Sequence, residues 1–429
     1  MKRTVAPAPH LRRAGLAIAT TSLALIGFET LLPEPGAALS SHLCLLCGSL
    51  GGVSAILNIL LFMPLGIGLA LSGFPGKRAV ISMCALSALV ETAQLLIPGR
   101  DSTIGDVLTN TLGGALGFAI GRYAFILLRP SPRIAVALTI GWSAVWLAIQ
   151  TTSAFGFSPT FPPTRYFGQI APRLEDLEEF RGRVLRASIA DVLVSDSEFK
   201  DSPRVRELLL GGATLTTTLL PSGATHDVAP IVRVADARER EIVLLAQSGE
   251  DLVFGVRTGA GVLRFRPLLF AVADVFQGAS SADSGPGTDT VTVGARYSAR
   301  ELAVSKQTVG PTHERRIPIT ASLGWTMLMP FQWYIEGTNT ELFLSAIWIA
   351  CLLIPLGYWG VGITRVSEER DTTRIRAMAV SIALALLYLG LVVVPQSFGM
   401  TAAPLGAWLA ALTGILLGAA LAPPAKLTF

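Results

Sequence analysis

Acidic and amide side chains interrupt the apolar stretches near the start of the chain. Glu91 and Gln94 are three residues apart, and Asp106 and Asn110 are four residues apart. Each pair therefore shares one face of a helix. Because a carboxylate in hydrocarbon costs about 2.5 kcal/mol or more, we expect these groups to face one another, together with Asn58 of the preceding apolar stretch.

These residues define a polar cluster that could bind a ligand or perform acid–base chemistry. Its predicted binding residues are Asn58, Glu91, Gln94, Arg100, Asp101, Asp106 and Asn110. If one carboxyl group is protonated and the other ionised, Glu91 and Asp106 could act as acid and base. Such a pair could equally bind a cationic or hydroxyl-rich headgroup. The alternative is that the polar groups only join helices, at about 0.6 kcal/mol per contact.

The composition indicates that membrane helices position this cluster. Of the 429 residues, 51% are hydrophobic and 15% are charged, whereas about 25% are charged in a typical soluble protein. A soluble globular enzyme is therefore excluded. The formal net charge of +4, from 34 basic and 30 acidic residues, is too small to favour nucleic-acid binding.

Eight apolar runs are long enough to cross a hydrocarbon layer about 30 Å thick. They cover residues 14–32, 51–72, 79–97, 104–128, 134–155, 342–363, 378–394 and 405–421. Lys and Arg cluster in alternate connections, so the positive-inside rule predicts that both termini are cytoplasmic and that residues 158–341 are extracytoplasmic. The first run could instead be a cleaved signal peptide. Gly113, Gly117 and Gly121 predict a close helix contact.

The polar stretch between the fifth and sixth runs changes from helical to alternating periodicity. Short strands are predicted at residues 213–220, 231–235, 241–247, 251–257, 262–265 and 290–293. We predict an inserted all-β sandwich over residues 158–325 and an interfacial aromatic re-entry segment over residues 326–341. The sandwich could bind glycans or be purely structural. Its acidic loop candidates are Asp227, Asp236, Glu239, Glu250 and Asp251.

Motifs for metals and cofactors are incomplete. His42, Cys44 and Cys47 form a local group of metal-type ligands, but no fourth ligand lies nearby in the sequence. A disulfide or two free thiols is therefore the favoured interpretation. The sequence contains no phosphate loop, no H-E-x-x-H and no G-x-S-x-G. We predict no metal and no cofactor.

The polar cluster lies within a longer pattern of fixed order and spacing. The pattern reads N-x3-F-x-P-x-G from Asn58, E-x2-Q from Glu91, and R-x5-D-x3-N-x2-G-x3-G from Arg100. It resembles the VanZ-like family over residues 13–128. The predicted sandwich is more weakly similar, over residues 229–257, to laminin-G or concanavalin-like jelly rolls.

The VanZ resemblance implies a bacterial envelope protein of the cytoplasmic membrane, from a family whose founding members are linked to lowered sensitivity to the glycopeptide antibiotic teicoplanin. The predicted architecture is a four-helix unit (13–128), a fifth helix (134–155), the sandwich and three C-terminal helices (342–421). The resemblance carries over no reaction.

Three functional hypotheses follow. The preferred one is recognition of an envelope glycan, a lipid headgroup or a glycopeptide-type antibiotic by a protein whose constant partner is the lipid bilayer. The rival is a membrane-embedded enzyme for a lipid-linked envelope substrate, with Glu91 and Asp106 as acid and base and Arg100 holding an anionic group. A transporter is less favoured, because the polar residues occupy one predicted depth and no path of charges continues inward.

Overall fold

A computed structural model describes residues 8–33, 50–100, 102–174, 177–221, 223–277, 290–307, 312–364 and 372–423. The chain divides into two compact units. The first unit comprises Met1–Ala137 with Ala422–Phe429, and the second comprises Leu138–Leu421. The first unit is helical, whereas the second combines helices with two β-sheets.

The helices of the first unit coincide with the predicted apolar runs. They are α1 (Pro9–Leu31), α2 (Gly51–Leu71), α3 (Gly76–Gln94), α4 (Ile104–Arg122) and α5 (Ala124–Leu128), after which α6 (Pro132–Phe157) begins. The predicted run 104–128 is thus divided at Tyr123 into α4 and α5. Thr103 is the N-cap of α4, and its Oγ1 accepts a hydrogen bond of 2.9 Å from the backbone N–H of Asp106.

Glycines bring α2 and α4 into direct backbone contact. A Cβ atom on Gly113 would overlap the carbonyl oxygen of Ile59, and one on Gly117 would overlap that of Met63. A Cβ on Gly121 would lie 2.9 Å from the Ile67 carbonyl oxygen. The close contact predicted from the four-residue spacing of these glycines is therefore confirmed, and α2 is the partner helix.

The helices of the second unit flank a β-rich region. α9 (Asn339–Thr364) is followed by α10 (Thr372–Tyr388), a π-helical turn (Leu389–Val393), α11 (Val394–Ser397) and α12 (Leu405–Leu421). Trp146 of α6 packs in one hydrophobic cluster with Ile349 and Leu353 of α9 and with Ala411 of α12. The predicted seventh run, residues 378–394, corresponds to part of α10, the π-helical turn and the first residue of α11.

Five of the described helices are long and apolar enough to cross a membrane. They span Pro9–Leu31, Gly51–Leu71, Pro132–Phe157, Asn339–Ile363 and Ala377–Ser397, and Leu405–Leu421 is a shorter apolar helix. These helices identify a membrane protein. The count of eight spans and the orientation stay predictions. α3 and α4 are 19 residues long, but neither is among the helices that are both long and apolar enough to cross a membrane.

The β-rich region contains two six-stranded sheets. Its strands are β1 (Tyr166–Ile170), β2 (Arg183–Ile189), β3 (Val192–Leu193), β4 (Leu215–Leu220), β5 (Val228–Asp236), β6 (Glu241–Ser248), β7 (Asp251–Val256), β8 (Leu268–Val272), β9 (Val291–Tyr297), β10 (Glu301–Gln307), β11 (His313–Pro318) and β12 (Tyr334–Ile335). Two short helices, α7 (Ser202–Leu210) and α8 (Gly259–Val262), join them.

The two sheets share one hydrophobic core. Their orders are β1-β5-β6-β7-β8-β12 and β11-β10-β9-β4-β2-β3. Among the described strands, β12 pairs in parallel with β8 and the other pairings are antiparallel. Val232 and Phe254 of the first sheet are buried in the same cluster as Leu219 and Val293 of the second. This burial explains why the strands read as alternating or continuous apolar runs.

Five of the six predicted strands are confirmed and one is wrong. Residues 213–220, 231–235, 241–247, 251–257 and 290–293 correspond to β4, β5, β6, β7 and β9. Residues 262–265 instead form the end of α8 and a turn, in which the Phe265 N–H donates to the Ala260 carbonyl at 2.8 Å. A segment of only four mostly apolar residues does not distinguish a strand from a helical turn. The jelly-roll type stays a prediction.

The first sheet also extends beyond the predicted end of the sandwich at residue 325. Residues 321–328 form a 3-10 helix, and Tyr334 and Ile335 then pair with Leu269 and Phe270 of β8. Trp325 is buried, and its indole N–H donates to the Ser345 hydroxyl of α9 at 3.0 Å. Part of the segment predicted as interfacial, residues 326–341, therefore belongs to the sheet.

Candidate functional site

The polar cluster is centred where the C-terminal turns of α3 approach the start of α4. Glu91 is only 5% exposed, and its Oε2 accepts a hydrogen bond of 2.7 Å from the Thr103 backbone N–H. The Ser102 side chain also lies close enough to interact with the Glu91 carboxyl group. The N-terminus of α4 thus binds a carboxylate from α3, as helix N-termini do with anions.

Asp106 brings a second carboxylate and a second helix to the same place. Its side chain hydrogen-bonds Thr103 and the Asn58 side chain of α2. Asp106 is also close enough to Glu91 for the two carboxyl groups to interact electrostatically. The structure therefore brings together Asn58, Glu91 and Asp106, three of the residues predicted from the sequence.

Asn110 and Gln94 add two buried amides with unsatisfied oxygens. Asn110 is 2% exposed and donates from Nδ2 to the Ser87 hydroxyl at 2.9 Å. Gln94 is 8% exposed and donates from Nε2 to the Thr30 carbonyl at 3.0 Å. Among the residues that the structure describes, Asn110 Oδ1 and Gln94 Oε1 have no hydrogen-bond donor. Each buried unpaired acceptor costs about 1–3 kcal/mol, so the site favours a ligand that donates hydrogen bonds.

Arg100 is held by α1. Its Nε donates to the Leu32 carbonyl and its Nη2 to the Glu29 carbonyl, both at 3.0 Å. These carbonyls lie at the end of α1, where a helix has no internal donors left. Glu29 takes part in this contact through its backbone oxygen only. Arg100 thus positions the end of α1.

Four residues named in the sequence analysis lie outside the described residues: Asp101, His42, Cys44 and Cys47.

Sequence reasoning missed the hydroxyl groups that complete the cluster. Ser87 lies one turn before Glu91 on α3, and Ser102 and Thr103 precede α4. A usable pattern was present for one of them. Thr103 stands three residues before Asp106, which is the spacing of a capping box. Within the described ranges, no group of three or more His, Cys, Asp or Glu residues is placed to hold a metal ion.

The β-rich region has a cleft of its own, of about 500 Å³, here called the β1–β5 cleft. It lies between β1, the loop after β3 and the turn that joins β5 to β6. Its chemically informative lining residues are Phe167, Gln169, Arg173, Asp196, Ser197 and Glu239. They supply an aromatic ring, an amide, a hydroxyl and charges of both signs, a combination suited to a polar ligand.

Arg233 organises one side of this cleft. Its Nη1 donates to the Gln169 Oε1 at 2.9 Å, and its Nη2 donates to the Glu239 carbonyl. The Gln169 amide is therefore held by its oxygen, which leaves its NH2 group as a donor. Across the cleft, Asp196 Oδ1 accepts from the Ile170 N–H, which leaves Oδ2 as an acceptor.

The predicted acidic loop residues separate into different roles. Glu239 lines the cleft with a left-handed backbone, at φ 58°. Asp236 is 1% exposed and binds Arg240 and the backbone of its own turn. Burial raises the pKa of Asp236, but the Arg240 guanidinium and two backbone N–H groups outweigh this effect and hold it below its usual value. Asp227 and Asp251 accept from nearby backbone N–H groups, and Glu250 is exposed.

Comparison with known proteins covers the first unit. Residues 12–128 match the VanZ/LLP1 family, which confirms the resemblance predicted over residues 13–128. The match ends before α6, so it does not include the β-rich region or α9 to α12. No curated protein and no solved structure matches the chain. The first unit is therefore VanZ-like, and the likeness of the β-rich region to concanavalin-like folds stays a prediction.

Proposed function

We propose that this VanZ-like membrane protein recognises envelope molecules, with the polar cluster binding a headgroup that donates hydrogen bonds. The observation that carries the proposal is the pair of buried oxygens without donors, Gln94 Oε1 and Asn110 Oδ1, which follow the carboxyl-bearing Glu91 and Asp106 by one turn on α3 and α4. Hydroxyl or ammonium groups can donate hydrogen bonds to these two oxygens and to the two carboxyl groups. Lipid headgroups, lipid-linked envelope precursors and glycopeptide antibiotics carry such donors.

The proposal places the protein in the bacterial cytoplasmic membrane, with both termini cytoplasmic and the β-rich region extracytoplasmic. It is supported by the distribution of Lys and Arg among the connections. Lys200 is exposed in the β-rich region. In a cysteine-free background, K200C should react with a membrane-impermeant maleimide in intact cells. Labelling only after permeabilisation would contradict the proposed orientation, because it would place Lys200 on the cytoplasmic side.

Headgroup selectivity provides the direct test of the polar cluster. Phosphatidylethanolamine and phosphatidylglycerol donate hydrogen bonds from their headgroups, whereas the trimethylammonium of phosphatidylcholine has no N–H. Native mass spectrometry of the full chain should therefore show preferential retention of one or both donor lipids over phosphatidylcholine. We expect E91Q and D106N each to reduce that preference about tenfold, which corresponds to about 1.4 kcal/mol.

A matched control uses the same chemical change outside the cluster. Glu29 is exposed on α1, and its contact with Arg100 uses the backbone oxygen. E29Q should leave lipid selectivity unchanged. Equal retention of the three lipids by the wild-type chain would contradict headgroup recognition by this cluster.

Acid–base catalysis on a lipid-linked substrate is the second candidate, favoured by the electrostatic contact between Glu91 and Asp106. E91Q and D106N preserve side-chain size while removing the ionisable group. Under the catalytic alternative, both variants would retain lipid selectivity but would lose the phenotype that the wild-type chain confers on cells. Loss of selectivity together with phenotype would support recognition instead.

We further propose that the β1–β5 cleft binds a glycan. Gln169 offers a donor, Asp196 and Glu239 offer acceptors, and the Phe167 ring lines the same cleft. Sugar hydroxyl groups donate and accept, so they match this mixture better than an apolar ligand would. Calorimetry of the full chain with oligomers of N-acetylglucosamine should detect binding. Q169A and E239Q should each raise Kd about tenfold.

The control for the cleft is an exposed carboxylate elsewhere on the same region. Glu250 is exposed and is not among the residues that line the cleft. E250Q should leave Kd unchanged. Equal weakening by E250Q and E239Q, or no binding by the wild-type chain, would count against a glycan site in this cleft.

A further inference from the structure

The contact between α2 and α4 has a counterpart between α9 and α12. Each of α2 and α9 contains a Pro-Leu-Gly sequence, beginning at Pro64 and at Pro355. The two prolines are 355 − 64 = 291 positions apart. α4 and α12 each contain glycines four residues apart, and Gly113 and Gly414 are 414 − 113 = 301 positions apart.

These two offsets also relate the atomic contacts within each helix pair. In every case a Cβ atom added to a glycine would overlap the carbonyl oxygen of the facing helix. The matching contacts are Gly113 with Ile59 and Gly414 with Ala350, Gly117 with Met63 and Gly418 with Ile354, and Gly66 with Gly114 and Gly357 with Ile415. Residues of α2 and α9 differ by 291 throughout, and residues of α4 and α12 differ by 301. The two pairs therefore pack in the same register.

By the same offsets, the polar positions of α2 and α4 correspond to apolar positions of α9 and α12. The counterparts of Asn58, Asp106 and Asn110 are Ile349, Ala407 and Ala411. All three are buried, at 0%, 6% and 0% exposure, and all belong to the hydrophobic cluster of the second unit. The α9–α12 pair thus keeps the glycine packing without the polar groups.

We propose that the chain contains two copies of one helix pair, and that Asn58, Asp106 and Asn110 contact a ligand and are dispensable for helix packing. The inference deepens the proposed function and rests on it. The α9–α12 pair supplies the reason, because it makes the same backbone contacts with apolar side chains at these positions. The second pair acts as a scaffold, and the first alone carries the site.

The physical chemistry of membrane helices supports this division. Close glycine contacts gain van der Waals packing without polar groups. Carboxylates and amides in an apolar helix lower its preference for the membrane. Replacing both partners of a buried polar contact by well-packed apolar groups is often neutral or stabilising. Polar residues that packing does not require, in one copy of a repeated pair, are therefore assigned to binding.

The decisive experiment converts the first pair into its counterpart. The triple variant N58I/D106A/N110A introduces the residue types of the second pair at matching positions. We expect it to express and unfold in detergent within a few degrees of the wild type, while losing its preference for phosphatidylethanolamine and phosphatidylglycerol at least about tenfold. Failure of this variant to fold would show that the polar residues are needed for packing and would overturn the inference.

The outcomes separate the inference from the proposed function. A triple variant that folds and keeps its lipid preference would agree with the claim that the polar residues are dispensable for packing. It would contradict the assignment of the cluster as a binding site. Wild-type protein without any preference would reject headgroup recognition, whatever the variant does.

A reverse substitution tests the equivalence of the two pairs on its own. A407D places a carboxylate in the apolar core of the second unit, and we expect a clear loss of thermal stability. Since Asn58 binds Asp106 in the first pair, I349N should recover part of that loss in the double variant. No recovery would contradict the shared register.

Discussion

G117L is expected to abolish the native packing of α2 against α4. A Cβ atom on Gly117 already overlaps the Met63 carbonyl oxygen, and leucine adds three further carbon atoms. Overpacking against side chains costs about 1–3 kcal/mol, and backbone cannot move aside as a side chain can, so we expect at least about 3 kcal/mol. Size-exclusion chromatography and thermal unfolding of the detergent-solubilised chain measure the loss.

The control for G117L is the same substitution on a glycine with free space. A Cβ atom on Gly27 of α1 meets no atom within 4 Å. G27L should therefore leave the elution profile and the unfolding midpoint close to those of the wild type. If both variants behave alike, the added side-chain bulk is responsible in general, and the glycine contact between α2 and α4 is not the cause.

D236A should produce the largest loss of stability in the β-rich region outside its apolar core. The buried Asp236 carboxylate accepts from the Arg238 and Arg240 N–H groups at 2.9 and 3.0 Å and from Arg240 Nε at 2.9 Å. Removal leaves these donors without their acceptor, which costs about 1–3 kcal/mol. Hydrogen exchange of the β5–β6 turn and thermal unfolding report the change.

Acid should remove the same stabilisation in the wild-type chain. The pKa of Asp236 is lower in the folded chain than its usual value of 3.8, since Arg240 and the turn outweigh the cost of burial. Its stabilising contribution is therefore complete above pH 3.8 and is lost as the pH falls through the folded-state pKa. D236A should lack this part of the acid dependence.

An exposed ion pair provides the comparison for D236A. Asp191 pairs with Arg204, and both side chains are more than half exposed. Exposed pairs contribute about 0–1 kcal/mol, so D191A should change the unfolding midpoint far less than D236A. A similar loss for the two variants would show that burial of Asp236 does not govern its contribution.

Helix positions were predictable because apolar length alone identifies them. The boundaries of α12, residues 405–421, coincide with the predicted run, and the other runs match helices within a few residues. β1 was not predicted, and its Tyr166 is buried by residues distant in sequence. Local periodicity carries no information about such partners, and the same reason explains the error at residues 262–265.

The cluster was predictable in its residue types and only partly in its contacts. Spacing along one helix placed Glu91 with Gln94 and Asp106 with Asn110. It did not indicate that Arg100 would bind α1, because the end of α1 lies about 70 residues earlier, at separations of 68 and 71 for the two bonds. Nor did it indicate that the Ser87 hydroxyl would accept a hydrogen bond from the Asn110 amide.

The sequence by itself determined that this is a membrane protein, where most helices lie, and that its first part is VanZ-like, because hydropathy and motif spacing are local properties. Only the tertiary structure decided which polar atoms remain unsatisfied and that α9 and α12 repeat the register of α2 and α4. Both depend on atoms brought together from distant positions. An unpaired oxygen and a backbone contact exist only once two helices have packed.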